Sequence, residues 1–119
     1  MTESGLAALR TWVTTPIELS PPRDELVLKA YAIWLADPSQ AITLFRQQEK
    51  QHAARLAEYE HILARIEHKH GEQLDITLPD FGNYATLHAG VYAEQASVAW
   101  CRWMVEQLTN HSRQEAEQG

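Results

Sequence analysis

Cysteine occurs once in the 119 residues, at Cys101, so no disulfide can form within the chain; its place in an apolar helical stretch points to a buried, inert thiol. Glycine is scarce, and the five glycines are scattered, leaving no glycine-rich loop to cradle a phosphate. Positive charge is in deficit: 10 Lys and Arg against 16 Asp and Glu give a formal charge of -6 and a pI near 5.4. The long-range field of such a chain repels phosphate backbones. No apolar run approaches the ~18 residues of a membrane span, and the opening MTESGLAALR lacks the basic and apolar regions of a signal peptide. The expected location is the cytoplasm, with no membrane contact. No Gly-x-Ser-x-Gly surrounds a serine, and Cys101 has no histidine at a helical neighbour position. We therefore expect no enzyme, no catalytic residue and no cofactor.

What is present is helix. Residues 37–71 read as one long helix, with Asp37 as N-cap, Pro38 at the first helical position and Gly71 as the stop. Between these ends Ile42, Phe45, Glu49, His52, Leu56, Tyr59, Leu63 and Ile66 alternate by three and four residues, a heptad seam. At about 1.5 Å per residue the rod is roughly 50 Å long, far beyond the ~13 Å radius of gyration of a globule of this size. A second chain is the simplest cover for it. A second long helix is predicted from about residue 80 to 111, with Tyr84, Leu87, Val91, Val98, Cys101, Val105 and Leu108 in one stripe. Tyr92, Ala96, Ala99 and Trp103 form another stripe on a different side, with Trp100 beside it. Residues 24–36 are apolar nearly all round, which predicts the most deeply packed helix of the bundle.

The expected fold is all-α, a helical bundle with two long helices forming a coiled-coil-like dimerisation domain. Its expected parts are a short helix over 1–15, a proline-rich linker over 16–23 holding three of the five prolines, the helical domain over 24–111, and a frayed tail over 112–119. The candidate dimer interface comprises Ile42, Phe45, Leu56, Tyr59, Leu63, Ile66, Leu87, Val91, Val98 and Val105.

Two features invite a chemical reading. Glu-x-x-His occurs three times, as Glu49/His52, Glu58/His61 and Glu67/His70, the spacing used by di-iron helices. All three copies lie on one helix, the first and third about 27 Å apart, so they cannot form one centre. No metal site is assigned, and they read as solvated or interface polar residues. The chain also holds four tryptophans. Tyr92, Trp100 and Trp103 could frame a slot for a small planar aromatic effector, although packing alone would select the same residues.

Two stretches, TESGLAALRTWV at the start of the chain and PPRDELVLKAYAIWLADPSQA from Pro21, together resemble the PadR family of bacterial transcriptional regulators. TESGLAALRTWV looks like the helix that follows the wing of its winged-helix domain, matching at Thr2, Gly5, Leu9 and Trp12. PPRDELVLKAYAIWLADPSQA resembles the start of the family's C-terminal, virulence-activator-like domain, through Arg23, Asp24, Glu25, Leu26, Leu28 and Lys29, followed by Leu56, Tyr59 and Glu60 on the long helix. The segment from Tyr92 to Trp103 has a counterpart in the family's closing helix. The resemblance implies a homodimerising domain that spaces two DNA-reading modules and in some members answers small aromatic molecules. It also implies that the chain begins where the winged helix should finish, so that DNA is reached only through that missing N-terminal module. Two other readings are a freestanding helical partner that blocks a full-length relative, and a freestanding bundle that binds a small aromatic molecule or metal.

Overall fold

A computed structural model describes residues 2–19, 24–71 and 73–118. Part of the expected linker, residues 20–23, lies outside them, as do Met1, Glu72 and Gly119 and with Arg23 one position of the family resemblance. Among the described residues four α-helices follow one another: α1 (Glu3–Val13), α2 (Glu25–Tyr31), α3 (Pro38–His70) and α4 (Pro79–Gln118). No strand occurs among the described residues, and the fold is all-α.

The chain divides into two compact units, residues 1–32 and 33–119. In the first, Thr2 caps α1 by accepting from the Gly5 amide, and Asp24 caps α2 by accepting from the Leu26 amide at 2.8 Å. A single helix over 24–36 is not what forms. The helix ends at Ala32, and Ile33–Leu35 make a 3-10 turn. Pro38 holds Asp37 in an extended conformation (ψ 125°), which separates this segment from α3 but does not account for the earlier end of α2. Nor is this segment deeply packed: no residue of α2 is buried, and Tyr31 is 88% exposed.

The second unit is an antiparallel hairpin of α3 against α4. The Asp37 carboxylate accepts from the Gln40 amide and the Ser39 hydroxyl, which caps the first turn of α3. Gly71, at φ 83°, ends it in a conformation open to glycine. In the loop, Thr77 donates its amide and hydroxyl to Asp75 Oδ1, bonds that hold the Asp75 carboxyl below its ordinary pKa. α4 then continues to Gln118, through the stretch expected as a frayed tail. SRQEAEQ is polar but rich in good helix formers, so polarity there marks solvent exposure and not a helix end.

Two helices meet along one line, and the core is correspondingly thin. Its buried apolar members are Ala41, Phe45 and Leu63 from α3 with Val91, Val98, Cys101 and Met104 from α4. Phe45 and Cys101 are fully enclosed.

Candidate functional site

The inner faces of α3 and α4 are tied by polar side chains as well as apolar ones. Glu94 is buried at 7% exposure, and its carboxylate accepts from His52 Nδ1 at 2.5 Å and from Arg55 at 3.3 Å. Glu49 meets Arg102 at 3.4 Å, the Tyr84 hydroxyl donates to Glu67 at 2.9 Å, and His70 lies 2.9 Å from Asp80. These ties pair residues late in α3 with residues early in α4, and the reverse, as an antiparallel register requires.

The Glu-x-x-His repeats find their explanation here. Glu49, His52, Glu67 and His70 each point to α4 and bind a partner on it, while Glu58 and His61 of the middle copy are exposed. Among the described residues no group of three His, Cys, Asp or Glu side chains converges as a metal would need. The buried acceptor, Glu94, was not singled out from the sequence. The available signal was a lone acid on the α4 stripe otherwise formed by Val91, Val98 and Cys101.

The expected interface residues separate into two groups. Phe45, Leu63, Val91 and Val98 are buried inside the hairpin, because the heptad seam of α3 closes on the chain's own α4. Ile42, Leu56, Tyr59, Ile66, Leu87 and Val105 are half-buried along the edges of that contact. The Tyr59 ring fits over Gly90, where a Cβ would lie 2.9 Å from Tyr59 Cε2.

The three aromatic residues expected around a planar ligand do not converge within one chain. Trp100 packs edge-on to Phe45 with ring centroids 5.6 Å apart. Tyr92 and Trp103 are exposed on one side of α4, about three turns or ~16 Å apart.

That side of α4 carries the principal surface feature. Ala85, Ala89, Tyr92, Ala96, Ala99 and Trp103 follow one another at intervals of four and three residues, and all six are exposed. Since α4 turns its Val91–Glu94–Val98–Cys101 side to α3, the helical repeat places this second stripe on the opposite face. Small residues alternate with two large rings on an apolar strip that α3 does not cover.

The fold and these surfaces define an all-helical hairpin domain with one seam closed and a second apolar stripe open. Residues 22–109 match the family described as virulence activator alpha C-term, and the chain belongs to it. It is 31% identical over 106 residues to the negative transcriptional regulator PadR of Bacillus subtilis (strain 168), covering 84% of this chain and 55% of the relative. The crystal structure of Bacillus subtilis PadR in complex with operator DNA superposes with a TM-score of 0.80 at 25% identity, over 91% of this chain and 60% of that one. Bacillus subtilis PadR in complex with p-coumaric acid has the same fold, with a TM-score of 0.80 at 24% identity over 92% of this chain and 63% of that one. The chain thus spans somewhat more than half the length of these relatives. Among the described residues no helix is long and apolar enough to cross a membrane.

Proposed function

We propose that the chain is a dimerisation domain of a PadR-like transcriptional regulator, and that two copies associate through the outer stripe of α4. The observation that carries the reading is the heptad-spaced, uncovered row from Ala85 to Trp103. Alanines at four of its six positions let a second helix approach closely, and Tyr92 at 67% and Trp103 at 53% exposure still have ring surface to bury. The half-buried Ile42, Leu56, Leu87 and Val105 belong to the α3–α4 contact, and Leu87 and Val105 lie on the side of α4 away from this stripe. Tyr92 and Trp103 belong to this seam and not to a ligand slot.

The regulatory part of the proposal is supported by family membership and by the similarity to PadR. The described residues contain no strand and the chain's charge balance is acidic, so we expect no specific binding of duplex DNA by this chain alone. Static light scattering of the purified chain at micromolar concentration tests the association. A mass of twice 13.6 kDa is expected, and a clean 13.6 kDa species would overturn the proposal.

A further inference from the structure

The outer stripe of α4 has an order as well as an apolar character. From Ala85 onward its six exposed positions run alanine, alanine, tyrosine, alanine, alanine, tryptophan. Ala89, Ala96 and Trp103 form one heptad row, and Ala85, Tyr92 and Ala99 the other. No charged side chain interrupts either row.

We infer that the stripe is its own complement: a second copy of the chain packs on it antiparallel, with the two-fold axis halfway between Ala85 and Trp103, at the level of Glu94. The inference rests on the reading that two copies meet along this stripe, and adds their direction and register. With the copies running in opposite directions about that level, Trp103 meets the partner's Ala85, Ala99 meets the partner's Ala89, and Tyr92 meets the partner's Ala96. Each ring then lies over a methyl group, and no layer of the seam holds two rings. The alanines opposite let the rings fill the space between helices that approach closely.

Other alignments lose this fit. Copies running in the same direction would set Trp103 against the partner's Trp103 and Tyr92 against the partner's Tyr92, with alanine facing alanine in the four remaining layers. Interaxial distance follows the side chains at the contact, so two layers would force the axes apart while four required them close. Sliding the antiparallel pair by one heptad fares no better. In one direction Trp103 falls opposite the partner's Tyr92; in the other it falls opposite the partner's Leu78, ahead of the first residue of α4. Of these arrangements, only the antiparallel one centred at Glu94 gives both rings an alanine.

Disulfide trapping tests the register. Ala89→Cys and Ala99→Cys replace exposed alanines by a residue of similar size, and Cys101 is fully enclosed, so the native chain serves as the uncross-linked control. The two variants, one carrying an affinity tag, are mixed in the reduced state at micromolar concentration and then mildly oxidised. In the proposed register positions 89 and 99 of opposite copies are neighbours, within the Cα separation of about 4.4–6.8 Å that a disulfide spans. Two copies of position 89, or of position 99, stand roughly 15 Å apart along the axis. The mixed dimer is therefore expected, with self-linked species at least roughly tenfold less abundant. A nitroxide on Gln107→Cys, exposed and outside the six positions, reads the direction without altering the seam. Two labels should lie about 40 Å apart along an antiparallel pair, but near one interhelical distance apart in a parallel one. Light scattering of the reduced variants separates the remaining outcomes. A chain that stays at 13.6 kDa overturns the association itself, and the register with it. A dimer in which each variant links to itself, with the Gln107 labels close together, keeps the stripe as the seam and overturns the antiparallel register. A dimer that links in neither way places the association off the stripe and overturns both.

Discussion

Glu94 is the residue on which the inner seam is most exposed to a single change. Its carboxylate is buried, and the partner that encloses it, His52, is itself only a quarter exposed, while Arg55 extends into solvent. Replacing His52 by Leu leaves the charge to a screened, mobile arginine. We expect a loss of about 1–3 kcal/mol, the cost of an undersatisfied buried acceptor. Replacing Glu94 by Leu as well removes the charge, and most of the loss should be recovered, because an apolar pair of similar volume suits an interior position. Urea denaturation of the single and double variants at one fixed protomer concentration measures this. Additive losses would show that the pair contributes through packing and not through its charge. The sequence alone did not reveal this cluster. An acid on an apolar stripe can be a solvated edge or a buried partner, and only the register of the facing helix decides between them.

At the scale of the element, the close approach of α3 and α4 turns on Gly90. Alanine there would favour the helix by about 1 kcal/mol, yet its methyl would press into the Tyr59 ring at 2.9–3.0 Å. Gly90→Ala should therefore leave the native chain unimproved or less stable, but raise stability by about 1 kcal/mol in a Tyr59→Ala background, where the ring is gone. Equal effects in both backgrounds, read from thermal or urea unfolding, would mean the ring contact does not explain the glycine. The ends of α3 were legible because their chemistry is local: Asp37 accepts the Gln40 amide of its own first turn, and Gly71 closes the helix. What covers each face was not legible. Four-three spacing from Ile42 to Ile66 looks the same whether the facing helix comes from the same chain or another, and here it is the chain's own α4. The apolar run at 24–36 misled as well: apolar residues all round an axis predict burial, and no residue of α2 is buried.

At the scale of the whole molecule, inner and outer seams make opposite demands on a charged substitution, and that contrast tests the assembly. Leu63 is 7% exposed within one hairpin, so Leu63→Asp places an unpaired charge in the core of each chain. It should unfold the protein, with loss of the helical circular dichroism signal at any concentration. Trp103 is 53% exposed within one chain, and Trp103→Glu costs that chain's own core almost nothing. If two copies meet along the Ala85–Trp103 stripe, two like charges are brought into the apolar seam, and association should fail while the hairpin remains. The expected result is a helical protein with a sedimenting mass of 13.6 kDa at concentrations where the native chain is a dimer. On that reading the thin hairpin draws part of its stability from its partner, so the dissociated variant should also melt earlier, with a midpoint that no longer rises with protein concentration. A dimer that survives Trp103→Glu intact would place the association elsewhere. A variant that unfolds together with Leu63→Asp would show that the hairpin has no stable existence outside the assembly.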